Sequence, residues 1–160
     1  MKKVFLFALV LASAISIYAQ PKHEIRAVWL TTNGGLDWPK GEYDVETQKE
    51  NLCEILDKLA AANFNTIIFQ AQVKGDVLWE STIQPAYRYV TGNGSNRLSY
   101  DVSEFVIEEC HKRNMECHAW IVPYRIGTTS DANKYKSNSV KHPITTHPEL
   151  CVEYNSAYYL

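Results

Sequence analysis

The chain predicts an α/β fold built on parallel strands, and three observations predict it. Short runs rich in β-branched and aromatic residues alternate with longer stretches whose apolar residues recur at helical spacing. The helix-to-strand joins at 63–65 and 114–115 are minimal. The strand-to-helix joins, in contrast, run from about a dozen to nearly thirty residues, far beyond the usual two to six for such connections. Only one end of the sheet is elaborated, which is the polarity of a strand–helix–strand–helix–strand unit with its site on the loops at the strands' carboxyl ends. A doubly wound sheet and a barrel both fit that pattern.

Residues 1–19 stand apart from the fold. Lys2 and Lys3 precede the apolar run Val4 to Ala12, and Ile17, Tyr18 and Ala19 resemble a signal-peptidase site. The expectation is cleavage after Ala19 and export to the periplasm, cell surface or medium. The run is shorter than the ~20 apolar residues of a transmembrane helix, so no membrane span is expected after cleavage, and no Cys follows the cleavage site to carry a lipid.

Glu24 to Leu30 (EIRAVWL) reads as the first strand, followed by a loop that Asn33, Gly34 and Gly35 break. Asp44 then precedes a helix to about Ala62, with Leu52, Ile55, Leu56 and Leu59 at helical spacing and Asn63 as its carboxyl-terminal cap. Thr66 to Ala71 (TIIFQA) has the β-branched and aromatic content of a strand buried on both faces. Val73 to Tyr100 shows no sustained period, and a connection of that length in a compact domain is usually functional or disordered. Its Asp76, Trp79, Tyr87 and Tyr89 favour function. Asp101 and Glu104 form a capping-box pattern, and Val102, Phe105, Val106 and Cys110 give a second helix its apolar stripe as far as Asn114.

Glu116 to Arg125 (ECHAWIVPYR) is the third strand and the centre of the predicted site. His118, Trp120 and Tyr124 fall on one face and Cys117, Ala119 and Ile121 on the other, while Pro123 ends the ladder. His118 is equally readable as a core histidine, and Trp120 and Tyr124 as packing residues. Trp38, Trp79, Trp120 and Tyr124 have ring faces on which a sugar can stack, and Gln70, Gln72, His118 and Arg125 can hydrogen-bond hydroxyl or N-acetyl groups. Hydrolysis of a glycosidic bond needs two carboxyl groups, and this end of the sheet carries Asp37, Asp76 and Glu80. Asp76, beside Gly75 and three residues before Trp79, is the candidate catalytic carboxylate.

Composition narrows the partners. Ten Tyr and four Trp accompany a formal charge of only −2, and loss of Lys2 and Lys3 leaves 14 basic against 18 acidic residues, a net of −4. No nucleic-acid footprint is present in such a balance, and aromatic richness without basic charge suits sugar rings. Cys53, Cys110 and Cys117 occupy apolar faces, where unpaired Cys packs as a small hydrophobe, although Cys110 and Cys117 are close enough in sequence to pair across a helix–strand turn. Cys117 and His118 point to opposite faces of one strand and no Cys pair has metal-ligand spacing, so neither a metal nor a cofactor is expected.

EIRAVWLTTNGGLDWP, FNTIIFQAQVKGDVLWES, HKRNMECHAWIVPYRIG and HPEL, in that order, closely resemble the amino-terminal part of the glycosyl-hydrolase-like 10 family. That resemblance implies a TIM (β/α)8 barrel, export, a carbohydrate partner and glycoside hydrolase chemistry on an envelope or extracellular polysaccharide. It also implies that residues 20–160 are a truncated amino-terminal part of the barrel, about three of its eight βα units, with the main catalytic carboxylates in later strands. A non-catalytic glycan-binding protein on the same scaffold is the alternative. This chain has Gln72 and Val73 where the family usually has Arg-Pro, and Val122 where it usually has Asn.

Overall fold

A computed structural model describes residues 24–92 and 97–160; the predicted signal peptide lies outside them, as do residues 93–96 of the long connection. Strands β1 (Ala27–Leu30), β2 (Thr66–Gln72) and β3 (Glu116–Ile121) form one parallel sheet in that order. Helix α1 (Val45–Ala61) joins the first two strands. Among its described residues the second connection contains a short turn of helix, α2 (Arg88–Thr91), before helix α3 (Val102–Lys112). The mixed α/β class and the polarity of the joins are therefore as the sequence predicts.

Local chemistry explains the boundaries. Asp44 and Asp101 are N-caps whose carboxylates each accept a backbone N–H at 2.9 Å, from Thr47 and from Glu104. Asn63 and Asn114 end the same helices at φ values of 67° and 55°, a left-handed conformation that Asn tolerates better than most residues. Leu52 and Leu56 of α1 and Val102, Val106 and Cys110 of α3 are buried, and they pack on Leu30, Ile67, Phe69 and Ala71 from one face of the sheet. Each such aliphatic side chain contributes about 1.5 to 3 kcal/mol, which fixes both helices to that face.

The strand ends differ from expectation. β1 begins at Ala27 rather than Glu24, because the side chain of Asn65 takes over that backbone, accepting from Arg26 N and donating to Glu24 O. β3 stops at Ile121, short of the Pro123 expected to end the ladder. Two residues later Pro123 has no N–H for a ladder, and the chain turns into a second sheet, with strands β4 (Arg125–Gly127), β5 (Val152–Tyr154) and β6 (Ala157–Tyr159) antiparallel in the order β4-β6-β5. Short helices α4 (Thr129–Asn133) and α5 (Pro143–Thr146) lie between β4 and β5. Between β2 and β3 the register shifts at Gln70/Gln72, where two steps along β2 oppose one along β3.

All four cysteines are unpaired. Cys110 is fully buried and lies beside Cys117, the close approach across the helix–strand turn that the spacing allows. No helix among the described residues is long and apolar enough to cross a membrane.

Candidate functional site

The face of the parallel sheet opposite α1 and α3 carries the aromatic and polar residues. Trp29, Ile68 and His118 are register partners across the three strands, and Gln70 pairs with Trp120 two residues further toward the carboxyl ends. Trp29 is 59% exposed and meets the half-buried Trp120 edge to face, with ring centroids 5.0 Å apart and planes at 88°. This is a favoured aromatic geometry, worth about 0.5 to 1.5 kcal/mol beyond area burial. His118 is exposed, and its Nε2 lies 3.1 Å from Glu116 Oε2. Tyr124, 71% exposed, and the exposed Arg125 follow beyond the end of β3. The structure thus gathers Trp120 and His118 on one face and sets Tyr124 and Arg125 past its rim, beyond Pro123.

Trp29 belongs to this surface and was not among the residues expected there. Its position between Val28 and Leu30 in an apolar run disguised it; the strand's two-residue alternation, set against the buried Leu30, is the signal that turns it to the other face.

Three of the predicted ligand-binding residues have partners within the protein. Trp38 is 1% exposed, packs its ring 6.1 Å from that of Phe69 and donates its indole N–H to Gln48 O at 2.9 Å. Gln70, 3% exposed, accepts at Oε1 from Thr31 Oγ1, Thr32 N and Asn33 N at 2.6, 3.0 and 3.0 Å. The loop after β1 is folded around that oxygen, since buried N–H groups need acceptors. Gln72 donates to Gln84 Oε1 at 3.0 Å, and its own buried Oε1 has no protein partner among the described residues. Trp79 is half-buried against the core and lines a separate cavity formed by the long connection.

Asp76, expected as a catalytic carboxylate, is 5% exposed. Its Oδ1 accepts from Lys74 N at 3.1 Å and its Oδ2 accepts the Tyr135 hydroxyl. Burial pushes its pKa above the usual carboxylate range, against the pull of those two hydrogen bonds. The Tyr135 ring stacks on the His142 ring at 5.8 Å, and His142 accepts Ile144 N at Nδ1 while donating from Nε2 to Lys74 O. Burial holds His142 below the usual histidine pKa, as suits a neutral ring. Gly75, at φ 78°, leaves room for this contact: a Cβ there would lie 2.9 Å from His142 Nε2. The group clamps the turn after β2 to the segment beyond β4, and Asp76 is its centre rather than a group facing solvent.

The other two carboxylates also have partners. Asp37 Oδ2 accepts Thr31 N at 2.9 Å, and the exposed Glu80 pairs with Arg97 at 3.2 Å. No group of three or more His, Cys, Asp or Glu side chains suited to a metal ion occurs among the described residues.

The family model described as glycosyl hydrolase-like 10 matches residues 24–158. The chain is 38% identical over 144 residues to a glycosyl hydrolase of Bacillus subtilis, YngK, covering 88% of this chain and 28% of that protein. It is 33% identical over 119 residues to the glycosyl hydrolase DigH of Escherichia coli K12, covering 69% of this chain and 27% of DigH. The chain therefore spans a little over a quarter of the length of these relatives. With nearly all its described residues inside the matched region, the chain belongs to the glycosyl hydrolase-like 10 family.

Proposed function

We propose that this chain is the amino-terminal part of a (β/α)8 barrel that, after export, hydrolyses glycosidic bonds in a bacterial envelope or extracellular polysaccharide. The observation that carries the reading is the exposed sheet face bearing Trp29, His118 and Trp120, with Tyr124 and Arg125 beyond its carboxyl end. Aromatic side chains on a face that no helix among the described residues covers suit the inside of a closed barrel, where inward residues of neighbouring strands meet and the site opens at the carboxyl ends. The names of the family and of its relatives support glycoside chemistry.

In this reading Trp120 offers a ring face to a sugar, and Tyr124 and Arg125 bind its polar edge. Asp76 is buried in the clamp and Asp37 holds the backbone N–H of Thr31, so this reading assigns the two carboxylates of hydrolysis to later strands of the full-length protein. Those same commitments favour, as a second reading, a glycan-binding protein that does no chemistry. The full-length protein separates the two by release of reducing ends from a bacterial glycan.

The site itself is tested by replacing Trp120 and Arg125 with Ala in the full-length protein. Chito-oligosaccharide affinity, measured by titration calorimetry, should fall by about 1 kcal/mol for Trp120→Ala and by about 1.5 to 3 kcal/mol for Arg125→Ala, with thermal unfolding little changed. Unchanged affinity alongside a clear loss of stability would remove this strand end from the site.

A further inference from the structure

Residues 79–82, 86 and 97–101 of the long connection, with Ser139 and Val140, line a cavity of about 530 Å³ that none of Gln70, His118, Trp120, Tyr124 or Arg125 lines. That volume falls in the range of about 300 to 1,000 Å³ found for small-molecule sites. Trp79, Leu98, Tyr100 and Val140 contribute apolar surface, and the hydroxyl residues Ser81, Thr82, Ser99 and Ser139 stand among them. Rings beside hydroxyl groups suit a sugar, whose faces are apolar and whose edges are polar.

The lining charges are two acids and one base, Glu80, Asp101 and Arg97. Arg97 is ion-paired with Glu80 at 3.2 Å, and Asp101 caps α3 through Glu104 N at 2.9 Å. This balance disfavours an anion and leaves the hydroxyl groups and rings as the recognition elements. The walls are also held in place before any ligand arrives. Tyr100 donates to Gln48 Oε1 at 3.3 Å and packs edge to face on Phe105 at 5.9 Å, while Trp79 is packed against the core. Ser139 and Val140 lie between Tyr135 and His142, which are hydrogen-bonded to Asp76 and to Lys74 O in the turn just before Trp79. The two chain segments that form the cavity are thus fastened to each other, which lowers the ordering cost of binding.

We infer that this cavity is a second carbohydrate subsite, taking neutral sugar rings of the same polymer that the strand end binds. The inference rests on the proposed glycan-binding function. Two linked contacts on one polymer raise affinity for long chains but not for short ones, and that difference provides the test.

Full-length wild type, Trp79→Ala, Ser139→Trp and Trp120→Ala are titrated with N-acetylchitobiose and N-acetylchitohexaose, each variant being checked by thermal unfolding. Ser139 is exposed, so Ser139→Trp fills the cavity without disturbing the core and stands in for Trp79→Ala if that variant fails to fold. Both cavity variants should weaken the hexaose by about three- to tenfold and leave the biose unchanged, whereas Trp120→Ala weakens both. If Trp120→Ala weakens binding and neither cavity variant does, the second subsite is wrong and the strand-end reading stands. If the cavity variants weaken both sugars equally, the cavity belongs to a single continuous site and the two-contact inference falls. Failure of the wild type to bind either sugar overturns the inference together with the function on which it rests.

Discussion

Replacing Asp76 distinguishes a clamp from a catalyst. In the clamp, Asp76→Ala leaves Tyr135 Oη and Lys74 N, both held by the carboxylate, without an acceptor in a site only 5% exposed. Each orphaned buried donor costs about 1 to 3 kcal/mol, partly offset because a carboxylate that burial penalises is also removed. A net loss of about 2 to 4 kcal/mol follows, seen as a fall in Tm of about 10 °C for a domain of this size. Asp76→Asn keeps a polar group of the same shape and should stay within about 1 kcal/mol of wild type near neutral pH. The pH dependence has a definite sign. Burial raises the folded-state pKa above the unfolded value, so Asp76's contribution is most favourable below the unfolded pKa of about 3.9. It declines as pH rises toward the folded value, and Asp76→Asn should remove that decline. Thermal unfolding followed by circular dichroism across pH 3 to 8, beside turnover of the full-length protein, measures both effects. If Asp76→Asn melts like wild type but loses about 100-fold or more in turnover, as removal of a general acid or base would produce, the clamp reading is refuted.

Gly75→Ala should destabilise by more than about 1 kcal/mol, since its φ is 78° and the new Cβ would meet His142 Nε2 at 2.9 Å; denaturant unfolding checks it. Gln70→Ala removes the acceptor of Thr31 Oγ1, Thr32 N and Asn33 N and should cost about 2 to 4 kcal/mol, while Gln70→Glu, which keeps an oxygen there, should recover part of that loss in the same assay. Glu109 is held at a pKa of about 2 by hydrogen bonds from Lys112 and then Arg113. Its stabilisation is therefore complete above the unfolded value of about 4.3 and is lost as pH falls toward about 2. Glu109→Gln should lower stability by about 1 to 2 kcal/mol at neutral pH and flatten the acid limb of an unfolding titration.

The helices and the parallel sheet were legible because their signals are local. Asp44, Asp101, Asn63 and Asn114 mark ends through chemistry contained in one or two turns, and Leu52, Leu56, Val102 and Val106 mark the buried stripes by spacing alone. The roles of Gln70, Trp38 and Asp76 were not legible in the same way. A polar or aromatic residue near a strand's carboxyl end reads as a ligand contact until its burial is known, and their partners lie far along the chain: Asp76 meets Tyr135 fifty-nine residues later. The second sheet was missed because each of its strands has only three residues. Its hairpin turns at Asn155 and Ser156, both at positive φ, without the Asn-Gly or Asp-Gly pair that announces such turns.

One residue of slippage at the carboxyl end of β2 decides which glutamine stands in the row of Trp120. Gln70 stands opposite Trp120, but the next paired position sets Gln72 against Ile121, so the two-residue rhythm of β2 falls out of phase with that of β3. Gln70 and Gln72 look equivalent in sequence, yet only the first keeps step with the aromatic face; the second is bonded to Gln84 in the long connection. The extra residue is a β-bulge, a device that re-aims side chains where a strand leaves its sheet. Deleting Ala71 would act as a frameshift in space: Gln72 would follow Gln70 directly, still opposite Ile121 but on the face away from Trp120, and the turn fastened by Lys74 and Asp76 would be drawn back along the strand by one residue.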